Sequence, residues 1–419
     1  MVDTMTDQLA VYINATKAGI LERDGRLLTF SYSPDYLNVP GASPISRLLP
    51  LGSTVYGDDA TRAFFSNLLP EGAVLTQVAR QIGVSRENVF GLLEAIGGDC
   101  AGAISVRTAG SQPEPDGSYR RISEQELSDE LDRLPSNPFL AGEEGVRLSL
   151  AGAQNKLPVI FNEGNYYIPE GTSPSSHILK TAIEQLDNTV INETFCMTLA
   201  ARVGLPVPAA QVVTIGGRQV FMVERYDRIR AASGEILRLH QEDFCQALGI
   251  PPELKYEKEG GPGFGSCFKL VEDWSSEPLL DAGFLLNWAI YNFIIGNADA
   301  HGKNISFLYR DGLVRLAPFY DLISTAVYKR LDSRFAMKMG GQRDPRYLPQ
   351  DTLAGFAAEI GIDKRIVKSA FVKMMDAIAA QSMQLLAEYR GTYGDLAILG
   401  DIARVIEYRI TKGRQLIQF

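Results

Sequence analysis

Three residues in the second half of the chain have the types and spacing for phosphoryl transfer. Asp299 and Asn304 stand five residues apart in a polar segment, NADAHGKN, and Asp321 follows at the far end of the next hairpin, in LAPFYDL. Moving a phosphoryl group requires a carboxylate to orient and deprotonate the attacking hydroxyl, and hard oxygen ligands for a cation that straddles the phosphates. Asp299 fits the base, Asn304 and Asp321 fit the cation, and Lys303 could neutralise the group in flight. One Asp in a polar loop is ordinarily a turn or cap residue. The set of three at this spacing is what points to chemistry.

An upstream group would meet the nucleotide. The run VRLSLAGAQNKLPVI places a small-residue turn between two expected strands. There the backbone N–H groups of Ala151, Gly152, Ala153, Gln154, Asn155 and Lys156 could approach phosphates closely, with Lys156 adding charge. Lys180 ends the segment HILK in an apolar context, where a buried ammonium is costly unless it meets anions. Glu193, on the next expected helix, could hold that lysine in place. Glu224, Arg225 and Tyr226 sit between a strand and the polar run DRIRAASGE, where a connection between lobes could read an adenine edge. A surface ion pair of little worth is the plainer alternative for Glu224 and Arg225. Neither other glycine-rich run makes a nucleotide motif: Gly296 to Asn304 lacks Walker spacing and its Ser or Thr, and EGGPGFGSC lacks a preceding strand and reads as a mobile loop at the cleft.

These residues need elements to position them. Residues 1–108 begin with alternating segments, LAVYIN and LLTFSYS, and then turn helical, which describes an α+β module. GSQPEPDGS marks a linker or long loop within 109–120. Region 121–230 opens on a polar helix, ISEQELSDELDRL. It continues through strands VRLSL, a hairpin around Glu163-Gly164, SHILKTA, a helix near Asn192–Val203, and strands AQVVTIG and VFMVERYD. Region 231–419 is mainly helical. Its DAGFLLNWAIYNFII segment is apolar nearly all round, hence buried, and feeds directly into the loop of Asp299. A hairpin turned by Asp311-Gly312 then leads to Asp321.

Composition narrows the classes. Of 419 residues, 45% are hydrophobic and 22% charged, the balance of a globular chain. The apolar stretch Phe284–Ile295 is broken by Asn287 and Asn292 and is short of the ~20 residues a span takes, so no membrane is expected. The first residues lack a basic start and apolar run, which suggests a cytoplasmic address. Four cysteines without CxxC spacing and three histidines argue for buried thiols rather than structural zinc. A net charge of -9 argues against a free-standing nucleic-acid binder. The local basic run from Lys329 to Arg346 reads as a solvated face.

The segments SLAGAQNK, HILK, VERYDR, HQEDFCQALG, KYEKEGGPG, NADAHGKN and LAPFYDL, in this order, resemble the HipA family of toxin–antitoxin kinases, and NLLPEG and LLEAIGGDCAGAI extend the likeness to the N-terminal region. The resemblance implies a two-lobed, α+β, protein-kinase-like fold related to lipid kinases, using ATP and Mg²⁺. Asp299 would be catalytic, Asn304 and Asp321 would hold the metal, and Lys180 and the Ala151–Lys156 loop would take the phosphates. Glu224, Arg225 and Tyr226 would frame adenine, His301, Gly302 and Lys303 would lie beside the phosphates, and Tyr320 would stand next to the metal aspartate. Ser149 matches the family's autophosphorylated serine, whose added charge of about -1.5 to -2 would repel ATP phosphates and expel the loop. The resemblance further implies a HipB-like helix-turn-helix antitoxin, contact with operator DNA through it as corepressor, and an aminoacyl-tRNA synthetase as the protein phosphorylated to arrest growth. Two other functions use the same residues differently: a small-molecule or lipid kinase, and a non-catalytic regulatory subunit.

Overall fold

In the computed structural model, residues 7–110 and 118–418 are described, so most of the expected linker, 111–117, lies outside the described residues. The chain forms two compact units, each discontinuous in sequence. The first comprises Met1–Thr181, Val213–Pro252 and Phe307–Val314; the second comprises Ala182–Val212, Glu253–Ser306 and Arg315–Phe419.

The first unit is built on two sheets. Strands β1 (Asp7–Ile13), β2 (Thr16–Asp24), β3 (Leu27–Tyr32) and β4 (Ile104–Thr108) make a four-stranded sheet in the order β3-β2-β1-β4. Alternation along β3 buries Leu28, Phe30 and Tyr32 on one face, where Phe30 meets Phe65 of the helix Asp58–Ser66 with ring centroids 5.9 Å apart. The second sheet has six strands: β5 (Tyr119–Ile122), β6 (Lys156–Asn162), β7 (Asn165–Pro169), β8 (His177–Lys180), β9 (Ala210–Ile215) and β10 (Arg218–Glu224), ordered β5-β7-β6-β8-β10-β9. β6 and β7 form the expected hairpin, with Glu163 and Gly164 at φ 48° and 80°, the left-handed pair a two-residue turn requires. Val146–Leu150, expected as a strand, instead makes a single bridge from Leu148 to Asp99. Its neighbour there is a loop, which offers no ladder to extend.

In the second unit the helix Pro278–Ile295 is the core element, packed by the helices Phe264–Trp274, Lys364–Tyr393 and Ala397–Ile417. It is the one described helix long and apolar enough to cross a membrane, yet Trp288, Tyr291 and Phe293 on it are buried in the unit. The glycine-rich run EGGPGFGSC is partly absorbed into the helix beginning at Phe264, which starts after Gly263. All four cysteines are buried and free. The basic run is a paired face, with Arg334 on Asp332 at 2.8 Å, Arg346 on Asp344 at 2.6 Å and Lys338 on Glu257 at 3.3 Å.

Candidate active site

In the second unit the helix Pro278–Ile295 ends at Gly296, whose φ of 70° lets the Asn297 N–H reach back to the Asn292 carbonyl at 2.9 Å. A side chain at 296 would put its Cβ 2.8 Å from that of Ala326, so glycine is required by both conformation and space. The chain leaves this cap as the loop carrying Asp299 and Asn304. Asn297, buried, ties the loop to its surroundings: Oδ1 accepts the Asp299 N–H at 3.0 Å, and Nδ2 donates to Asn292 Oδ1 at 2.8 Å and to the Asp321 carbonyl at 3.3 Å. Thr325 adds a second tie, accepting the Ala298 N–H at 2.7 Å and donating to the Gly296 carbonyl at 3.2 Å. Asn192, from the helix Thr189–Arg202, brackets Ser324 with two 3.0 Å bonds. A buried polar network of this kind fixes one arrangement, because each broken bond leaves a desolvated group.

The network brings together residues separated in sequence. Asn304 Nδ2 lies 3.4 Å from Asp321 Oδ2, and Asn304 Oδ1 takes the His301 N–H at 3.2 Å. Asp321 has φ 52°, an uncommon conformation for a non-glycine residue and one that clusters at functional sites. Tyr320 points its hydroxyl to the Lys303 carbonyl at 2.7 Å and pairs with Ser306 Oγ at 2.8 Å, so it braces the loop. The strand before it is seated by buried Asp281, which accepts from the Arg315 guanidinium at 2.9 Å and the Leu316 N–H at 3.0 Å. Lys303 is buried, whereas the Asp299 side chain is 54% exposed, with His301 Nε2 at 3.9 Å from Oδ1. An exposed carboxylate backed by a fixed loop can accept a proton from an incoming hydroxyl.

In the first unit, Lys156 on β6 and Lys180 on β8 are register partners and both are buried. Like charges directly opposite on neighbouring strands repel, and an anion between them would offset the cost. Lys156 Nζ donates to the Ala151 carbonyl at 2.6 Å, folding back under the small-residue loop. Gly152 there has φ 111°, and a Cβ would stand 2.6 Å from that Nζ. The loop is held by the NLLPEG segment: the Glu71 N–H reaches the Gly152 carbonyl at 3.1 Å, and Ser149 Oγ donates to the Leu68 carbonyl at 2.8 Å. Gln154 donates to the Thr181 carbonyl at 3.0 Å. Ser149 is fully buried.

Glu224 is exposed at the end of β10, and the Tyr226 hydroxyl bonds Gln241. Arg225 is neither a surface ion pair nor a side chain turned to a ligand. Its guanidinium is buried against Asp99 at 3.0 Å and Asp227 at 2.8 Å, alongside Arg228 and Arg238 on the same Asp99. Its N–H goes to the Ser176 carbonyl at 2.9 Å. Burial would raise the Asp99 carboxyl, but Arg228, Arg225 and Arg238 outweigh it and hold it well below the usual carboxylate range. The run VERYDR is thus, in its side chains, a structural core of charge. Sequence reasoning passed over Asn297, Thr325, Asn192 and Asp281. Of these only Asn297 carried a local signal, since Asn two residues before Asp299 is the spacing of an Asx turn.

The donor set suits a hard cation: one carboxylate and one amide oxygen, the sparse protein ligation that Mg²⁺ completes with water and phosphate. Among the described residues there is no cluster of three or more His, Cys, Asp or Glu that could hold a metal ion, so a cation here would rest on these two ligands alone. Asn304 would offer a cation its amide oxygen, which in this structure takes the His301 N–H at 3.2 Å.

Comparison with known proteins gives two family matches, "HipA N-terminal domain" over residues 9–107 and "HipA-like C-terminal domain" over 148–382. The chain is 40% identical over 379 residues to "Putative kinase Y4mE" of Sinorhizobium fredii, covering 89% of this chain and 90% of that one. It is 33% identical over 395 residues to the serine/threonine-protein kinase toxin HipA of Shewanella oneidensis, covering 91% and 88%. A solved complex of Shewanella oneidensis HipA, HipB and operator DNA contains a chain that superposes with TM-score 0.82 at 29% identity, covering 98% of this chain and 97% of that one.

Proposed function

The chain belongs to the HipA family, and from that premise we propose that it is an ATP-dependent, Mg²⁺-using serine/threonine protein kinase acting as the toxin of a toxin–antitoxin pair. The observation that carries the reading is the meeting of Asn304 with Asp321 at 3.4 Å, on a network that also fixes the backbone of Asp299. Asp299 accepts the proton of the acceptor hydroxyl as that oxygen attacks the γ-phosphorus and the β–γ bridging bond breaks, releasing ADP. Asp321 and Asn304 would hold Mg²⁺, which when bound neutralises charge on the phosphates. Lys303 would neutralise charge on the transferring group. Lys156, Lys180 and the Ala151–Lys156 backbone serve the phosphates, and Glu224 and Tyr226 serve adenine through the main chain.

Ser149 is proposed as an autophosphorylation switch. Its hydroxyl is buried on the Leu68 carbonyl, so it reaches an active site only after the loop leaves its seat, and a phosphate would then prevent return by charge and size. The Shewanella oneidensis complex of HipA, HipB and operator DNA supports a HipB-like antitoxin as partner. Engagement of operator DNA through that antitoxin, with this chain as corepressor, is part of the proposal. The substrate is proposed to be a translation enzyme, an aminoacyl-tRNA synthetase, modified on a hydroxyl side chain so that growth stops. Mass spectrometry of protein incubated with Mg·ATP tests the chemistry. Phosphate on Ser149 in wild type and its absence in Asp299→Gln and Asp321→Asn is the expected result. An unmodified wild type under conditions where ATP binds would sink the autophosphorylation switch and favour a regulatory subunit or small-molecule kinase.

A further inference from the structure

We infer that Tyr256 is a positioning residue for the Asp299 carboxylate, an assignment that rests on the kinase reading above. Its phenol hydroxyl donates to Asp299 Oδ1 at 2.5 Å, from 43 residues away in the chain. Asp299 needs such a partner. Its side chain projects from a loop at 54% exposure, and an exposed carboxylate held by nothing rotates freely about its side-chain bonds. With Oδ1 engaged by the phenol, Oδ2 is left to accept the proton of the acceptor hydroxyl.

Tyr256 is itself held. The Glu259 and Gly261 N–H groups both bond its carbonyl at 2.9 Å, closing a tight turn in KYEKEGGPG. The next residue, Glu257, anchors that turn: its N–H reaches the Ala336 carbonyl at 3.3 Å, and its carboxylate takes the Lys338 N–H at 2.5 Å and Nζ at 3.3 Å. The phenol ring stands edge-on to His301, with centroids 5.2 Å apart and planes at 84°, and His301 bonds the cation residue Asn304. Lys255 and Lys258 hold their ammonium groups 5.3 and 5.4 Å from the ring centroid. Packed in this way, the ring has one direction in which to aim its hydroxyl. A positioning group fixed by its own neighbours contributes to rate because the reacting geometry is set before the substrate arrives.

The test is single-turnover phosphate transfer from Mg·ATP to the protein, in wild type, Tyr256→Phe, Asp299→Asn and the double variant. Phe keeps the ring and its packing and removes only the hydrogen bond. The saturating rate should fall about tenfold, the effect of losing one hydrogen bond to a partly exposed ionised group. Half-saturating ATP and melting temperature should stay at wild-type values, which a merely structural role would not leave unmoved. In the double variant the Phe change should cost nothing beyond Asp299→Asn, because the tyrosine acts through that carboxylate. Tyr256→Phe at full rate, or a loss that adds to that of Asp299→Asn, overturns the inference while the kinase reading stands. Wild type that binds ATP and transfers no phosphate overturns both.

Discussion

Replacing Glu242 by Gln should make the stability of the first unit rise more steeply with pH than it does in the native chain, because it removes the group that opposes His240. Glu242 and His240 are neighbours on the strand His240–Asp243, and both are buried. The Glu242 carboxylate accepts from Ser46 Oγ at 2.8 Å, the Arg47 N–H at 3.0 Å and the Tyr309 hydroxyl. Burial still pushes its carboxyl up to about 7 from 4.5. Burial pushes the His240 imidazole, bonded through Nε2 to the Ile45 carbonyl at 2.9 Å, down to about 4 from 6.5. For Glu242 the folded form prefers the proton, so its contribution is complete below about 4.5 and is lost as pH rises through about 7. For His240 the folded form rejects the proton, so its contribution is complete above about 6.5 and is lost as pH falls through about 4. Each amounts to roughly 3 kcal/mol across its range, and the two oppose one another where the ranges overlap. Gln preserves shape and bonding, since its amide can donate to Ser46, whose hydroxyl rotates to accept, while its oxygen keeps Tyr309 and Arg47. Urea midpoints followed by far-ultraviolet circular dichroism from pH 4 to 8 give the difference between variant and wild type. That difference should move by roughly 3 kcal/mol in favour of Gln as pH rises. A difference independent of pH would refute the reasoning, because it would mean that the Glu242 carboxyl titrates as it does in the unfolded chain.

Asp99→Asn should destabilise by roughly 3–5 kcal/mol, since it leaves Arg225, Arg228 and Arg238 buried against Asp227 alone. Thermal melts check this, and a loss under roughly 1 kcal/mol would mean the cluster is open to water. Asn297→Ala removes the link between the Asp299 N–H and the Asp321 carbonyl and should lower the saturating transfer rate roughly 100-fold. Gly152→Ala forces a Cβ to within 2.6 Å of Lys156 Nζ at φ 111°. Half-saturating ATP should rise about tenfold, read directly by nucleotide titration of the folded variant, and the melting temperature should fall because alanine is strained at this φ.

What is local was legible in the residues alone. The apolar periodicity of Pro278–Ile295, the Asp311-Gly312 turn, with φ 53° and 77°, and the spacing of Asp299, Asn304 and Asp321 could be read without coordinates, because helix, hairpin and loop signals lie within a few residues of one another. Tertiary structure decided which groups meet across long stretches of chain. VERYDR looks like an exposed polar motif until Asp99, 126 residues from Arg225, supplies the counter-charge that draws the arginines inside. Ser149 became a buried, bonded hydroxyl only when Leu68, 81 residues away, offered its carbonyl. Tyr256 acquired a place beside Asp299 through a turn anchored on Glu257 and Lys338. Side-chain partners of this kind follow from how elements pack, and a buried polar group accepts whichever complementary group the packing brings to it, so no local pattern could have named them.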